Sequence, residues 1–90
     1  METEQFDDRA PEASQLTAYD ESHLAAYLRL LDADHAAVDW HDSAATILGI
    51  DASSEPLRAK TMYDSHLARA RWMTEIGYAH LLGNMPPIRR

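Results

Sequence analysis

The chain has 90 residues, no cysteine and a formal charge of −7 at pH 7. A single domain of this length buries little more than about 60% of its extended surface, which disfavours a deep enclosed active site, and the missing cysteine excludes disulfides, thiolate metal sites and cysteine nucleophiles. No apolar run reaches the roughly 20 residues that cross a bilayer, and Met1-Glu2-Thr3-Glu4 lacks the basic start of a secretion signal, so a soluble cytoplasmic protein is expected.

Residues 1–16 are polar and acidic and contain Pro11, with Phe6 and Leu16 as their large apolar residues after the first methionine. This predicts a disordered acidic tail ahead of a helical domain over residues 17–83. The first helix is expected to begin near Asp20 as N-cap and to run to about Asp34. Leu24, Tyr27, Leu28 and Leu31 recur at three- and four-residue spacing as its core stripe, with Leu30 outside it and free for a second neighbour or a partner.

A shorter second helix is signalled by Asp39 as N-cap, by Asp42 in the reciprocal position of a capping box, and by Gly49 just past the end; Trp40, Ala44, Ile47 and Leu48 form its apolar face. Residues 50–54 read as a polar connector with one apolar residue, Ile50. Ser54 is the expected cap of the third helix, and Pro56 suits its first turn, where no N–H is required. From there Ala59, Met62, Tyr63, His66, Leu67, Ala70 and Met73 share one broad face of a long helix that ends near Gly77. Tyr78 to Leu82 predicts a short final turn, and residues 84–90, with Pro86-Pro87, a C-terminal tail.

Nothing alternates with the period of a strand, so the fold class is all-α: a small helical bundle whose second helix, connector and long third helix occupy the places of a helix-turn-helix. The connector exceeds the usual three or four residues, which makes the motif a variant. No pair among His23, His35, His41, His66 and His80 has the i, i+4 spacing that puts two imidazoles on one helical face. The acidic pairs lack the glycine and distal glutamate of a calcium loop, the three glycines are too dispersed for a phosphate cradle, and no serine sits in a nucleophile elbow. No enzyme, cofactor or metal site is therefore expected.

Charge is asymmetric. Thirteen acidic residues and two arginines give −11 up to Glu55, whereas six basic and two acidic residues give +4 beyond it. Such a chain repels a polyanion unless its basic half faces it alone, and its acidic half suits a basic protein partner. Arg58, Arg69 and Trp72 fall within about 60° of one another on the third helix, beside Ser65 and Ile76, and form a second face away from the core stripe. Arginine and tryptophan are frequent interface anchors, which makes these three the expected partner-binding residues, with Asp32, Asp34, Asp39 and Asp42 steering association. The competing expectation is that Trp72 closes the core against the first helix or the last turn, while the arginines are solvated or pair with acids of the first helix. If the face is exposed, Arg69→Ala weakens partner binding by roughly 1 kcal/mol without changing melting. Lys60 and Arg71 read as simple i, i+4 partners of Asp64 and Glu75.

One further pattern is longer than any of these. The segment from Asp64 through Arg69-Ala70-Arg71-Trp72-Met73 to Gly77 and Leu82, with Tyr19-Asp20-Glu21-Ser22-His23-Leu24, Tyr27-Leu28-Arg29-Leu30-Leu31, Asp39-Trp40, Leu48-Gly49-Ile50-Asp51 and Glu55-Pro56, resembles a small helix-turn-helix-variant domain of proteobacterial integrative and conjugative elements. The resemblance covers most of residues 17–82. It departs at Ala52-Ser53-Ser54, where charged residues are usual, and at Pro86-Pro87. Large relatives carry the domain at the end of a transcriptional activator; small stand-alone relatives are quorum-sensing antiactivators that bind the activator rather than DNA. The short acidic chain is similar to the second type. The resemblance implies a monomeric antiactivator that occludes a LuxR-type regulator and an excision activator, without binding duplex DNA specifically. The alternative is a DNA-binding regulator with Arg58, Lys60 and Thr61 in the major groove. A scaffold subunit of a larger complex, a third possibility, would compete with no activator.

Overall fold

The computed structural model describes residues 5–77. Their regular elements are α1 (Ala18–Ser22), α2 (Leu24–His35), α3 (Trp40–Ser43) with a wider π-type continuation (Ala44–Leu48), and α4 (Pro56–Trp72) with a second such continuation (Met73–Gly77). No strand occurs among the described residues, and the chain forms the expected all-helical bundle with one long last helix. The final turn expected over Tyr78 to Leu82, the tail over 84–90 and His80 lie outside the described residues.

The first helix differs from its expected form in two ways. Thr17 rather than Asp20 is its cap: Thr17 Oγ1 accepts the Asp20 N–H while the Asp20 carboxylate accepts the Thr17 N–H, a reciprocal capping box with aspartate as the third residue. The helix is also broken at His23, whose Nδ1 faces the Tyr19 carbonyl at 2.7 Å, the acceptor a continuous α-helix reserves for the His23 amide. That amide turns instead to the Asp20 carbonyl at 3.1 Å, and α2 starts afresh at Leu24.

This break decides which side of α2 is inside. Ala26, Tyr27 and Leu30 are buried, Leu31 is half-buried, and Leu24 and Leu28 stand 45% and 60% exposed. The expected stripe is therefore corrected by a rotation of about 100°. Tyr27 belongs to both possible stripes, and its hydroxyl bonds the buried Asp20 carboxylate at 2.8 Å, which turns Leu30 toward the core in place of Leu24 and Leu28. At the other end, Val38 and Ala37 return their amides to Ala33 and Asp34, a Schellman-type stop with Ala37 at φ 61°, where glycine is the usual occupant.

Asp39 caps α3 as expected, but through the His41 amide at 2.8 Å, and Asp42 does not return a bond. Thr46 Oγ1 donates to the Asp42 carbonyl at 2.8 Å, taking the acceptor an α-helical Thr46 amide would use, where the helix widens into its π-type segment. Gly49 ends it at φ 71°, and both the Gly49 and Ile50 amides point to the Ala44 carbonyl.

The connector contributes more to the core than its composition suggests, because Ala52 is buried along with Ile50. Asp51 Oδ1 accepts both the amide and the hydroxyl of Ser53, which folds residues 51–55 into a tight turn. Glu55, not Ser54, takes the cap position of α4, without a side-chain cap bond, and Pro56 is its first residue. The expected α4 stripe is met: Ala59, Met62, Tyr63, His66, Leu67 and Ala70 are buried and Met73 is half-buried. These residues close on Tyr27, Leu30, Ala44, Leu48, Ile50 and Ala52 in one cluster.

Candidate interaction surface

Arg58, Ser65, Arg69 and Trp72 do share a side of α4, but the chain's own residues 5–16 lie along it. Arg58 Nε donates to Asp8 at 2.8 Å and its Nη1 to Glu55 at 2.7 Å. Ser65 Oγ accepts the Ala10 amide at 3.0 Å, and Ala10 is buried. Arg69 donates to the Ala13 carbonyl at 2.7 Å and the Gln15 carbonyl at 2.9 Å. Trp72, half-buried, lies under the Arg69 guanidinium at 3.9 Å and with residues 10–14 lines an open trough of about 440 Å³. The segment expected as a mobile tail thus has, from residue 5 onward, specific contacts with the helices.

Arg69 is the centre of this arrangement. Besides the two carbonyls it reaches both oxygens of Asp20, with Nε at 3.0 Å and Nη2 at 2.7 Å, and it is 5% exposed. The expectation that Arg69 belongs to an exposed anchor face is corrected: its donors are used inside the fold, and Arg69→Ala strips the partner from a buried carboxylate. The alternative of arginines paired with first-helix acids describes its position. Burial alone would raise the Asp20 carboxyl, but the hydrogen bonds from Arg69, the Thr17 amide, Tyr27 and the Thr17 hydroxyl outweigh it and hold Asp20 at about 2. Tyr27 is pushed well above the usual phenol range by its burial and by its bond to the Asp20 carboxylate.

A second buried polar chain runs beside it. His66 Nδ1 faces the Met62 carbonyl at 2.7 Å and so carries the proton; Nε2 accepts from the Tyr19 hydroxyl at 2.7 Å, and that hydroxyl accepts the Asp7 amide at 2.9 Å. Burial pushes the His66 imidazole below its ordinary value. Phe6 packs its ring 4.8 Å from His23 and 5.5 Å, edge-on, from His66, while His23 Nε2 faces the Gln5 carbonyl at 2.8 Å. No single stretch of sequence signals this network, because its members come from the leading segment, α1 and the middle of α4.

The remaining expected residues lie at the surface. Asp32, Asp34, Asp39 and Asp42 are exposed around the end of α2 and the start of α3. Asp34 takes Arg71 at 2.8 Å, so Arg71 spans two helices instead of pairing with Glu75, and Asp39 holds His41 at 2.6 Å, which lowers the Asp39 carboxyl. Lys60 pairs with Asp64 at 3.2 Å as expected, and its ammonium also sits 4.9 Å over the half-buried Trp40 ring. Among the described residues no group of three His, Asp or Glu is placed to hold a metal ion, and no helix is long and apolar enough to cross a membrane.

No protein-family model matches the chain, and no curated protein matches it significantly.

Proposed function

We propose that the chain is a protein-binding antiactivator. In this reading it occludes a surface that a LuxR-type quorum-sensing regulator and an excision activator of a conjugative element need, and it makes and breaks no covalent bond. The motif resemblance over residues 17–82 names the class. The observation that carries the binding mode is the disposition of the cations of α4. Arg58, Lys60, Arg69 and Arg71 are each held in an ion pair by the chain's own carboxylates. Phosphate contacts supply most of the generic affinity for nucleic acid, and a helix whose cations are neutralised in place has few to offer.

The exposed carboxylates favour a basic protein surface and faster encounter with it. Of the expected steering group, Asp32 and Asp42 keep their charge unshared among the described residues, whereas Asp34 and Asp39 share theirs with Arg71 and His41. On the α4 side Arg58 is held by Asp8 and Glu55, which leaves Trp72 as the remaining anchor, and Arg69 acts by holding the fold.

The alternative, a DNA-binding helix-turn-helix regulator, would need Arg58 and Lys60 released from Asp8, Glu55 and Asp64. Titration calorimetry against the two activators, run beside mobility shifts on duplex DNA at several salt concentrations, separates the readings. A stoichiometric complex with an activator and no shift at physiological salt is expected. A sequence-specific shift at nanomolar protein establishes the alternative, and absence of binding to any such activator ends the antiactivator reading.

A further inference from the structure

The outer side of α2 carries an apolar strip that nothing in the described residues covers. Leu24 and Leu28, one turn apart, are 45% and 60% exposed, and Leu31, the next in line, is half-buried at the edge of the core. A lone exposed leucine is ordinary, but i, i+4, i+7 leucines on one helix form the continuous anchor set used when helices recognise one another. The inner side of α2 is already filled by Ala26, Tyr27 and Leu30, so the outer leucines contribute little to the core.

Charge indicates the occupant. Glu21, near the end of α1, precedes Leu24 across the break at His23, and Asp32 lies one turn after Leu28 on α2; both are exposed. Arg29 is the only arginine or lysine in α2. An apolar strip framed by carboxylates repels a second copy of itself and any anionic surface, and it complements leucines flanked by lysine or arginine.

We propose that the outer face of α2, centred on Leu24 and Leu28, is the docking surface for a basic amphipathic helix of a protein partner. Apolar side chains of that helix cover the two leucines while its cations reach Glu21 and Asp32. The inference rests on the reading of the chain as a protein-binding module, and it names the partner element that module recognises.

The test uses the full chain and a synthetic amphipathic leucine–lysine helix of about 18 residues, five turns long. A scrambled peptide of the same composition and a leucine–glutamate analogue serve as comparisons. Amide shifts on titration should change saturably around Leu24, Leu28 and Asp32, with both comparison peptides at least tenfold weaker. Leu24→Ser with Leu28→Ser should weaken the leucine–lysine peptide at least tenfold and leave the chain folded, with only the modest fall in melting temperature that two partly exposed helical leucines entail.

Four results would overturn the proposal: unchanged affinity in the double variant, shifts confined to another face, a wild-type dimer that the two serines abolish, or loss of the folded state in the double variant. The third result assigns the strip to a second copy and the fourth to the chain's own fold. Activator binding that survives both serines removes this surface and leaves the antiactivator reading standing. Peptide binding at the strip without any activator binding keeps the surface and ends that reading.

Discussion

Arg69 and Asp20 are 49 residues apart in sequence and 2.7 Å apart in space, with the carboxylate wholly out of solvent. The pair ties α4 to the start of α1, and through the Ala13 and Gln15 carbonyls the same guanidinium also holds residues 5–16 in place. A bidentate arginine with two further carbonyl acceptors has a geometry that lysine cannot reproduce.

Removing one member of a buried pair is costly because the other charge stays behind unpaired. Arg69→Met should cost about 3–5 kcal/mol, a large share of the 5–15 kcal/mol typical of a small domain. Arg69→Lys should be intermediate. Adding Asp20→Asn to Arg69→Met should recover part of the loss, which denaturant melts of the single and double variants measure. Equal stability of wild type and Arg69→Met would show that the pair does not hold the fold.

Acidification should destabilise the protein over two pH ranges. His66 is held below its ordinary value, so below about pH 6.5 the unfolded chain takes up a proton that the folded chain does not; stability falls until the buried ring is itself protonated. Asp20, at about 2 in the folded state, contributes on the order of 2 kcal/mol above the ordinary aspartate value, and this is lost as pH falls from about 4 toward 2. Thermal melts against pH should show the loss in both ranges, and His66→Gln should flatten the first while leaving the second.

Two left-handed positions should respond in opposite directions. Ala37 stands at φ 61° in a stop motif that favours glycine, so Ala37→Gly should stabilise by about 0.5–1 kcal/mol. Gly49 is at φ 71° with open space where a methyl group would stand, so Gly49→Ala should cost about 1 kcal/mol from backbone strain alone. Chemical denaturation of the two variants checks both signs.

Amide exchange distinguishes a docked leading segment from a mobile one. The Asp7 and Ala10 amides, bonded to Tyr19 Oη and Ser65 Oγ, should exchange more slowly than the unbonded amides around them, and Ser65→Ala should speed exchange at Ala10. Exchange at the free-peptide rate for both would restore the mobile tail.

The long helix, its buried stripe and the stop at Gly49 were legible because each depends on neighbours within a turn or two. Apolar spacing over residues 59–73 has a single solution, and a glycine after an apolar run marks a left-handed cap. For α2, local pattern was insufficient, since leucines occur on both sides of Tyr27 and periodicity ranks the two faces almost equally. The choice fell to a bond between Tyr27 and Asp20, and to a histidine that takes a backbone acceptor and breaks the helix. The α4 side was legible as a face, but not its occupant. Whether Arg69 points to a partner or to Asp20 depends on where a residue 49 positions away arrives, and only chain closure in three dimensions determines that. Short-range periodicity thus determined that helices form and where the long one lies, and the exposure of Leu24 and Leu28 turned on bonds over seven and four residues that periodicity does not rank. The burial of a charge and the docking of residues 5–16, by contrast, were decided by long-range contacts that no local pattern encodes.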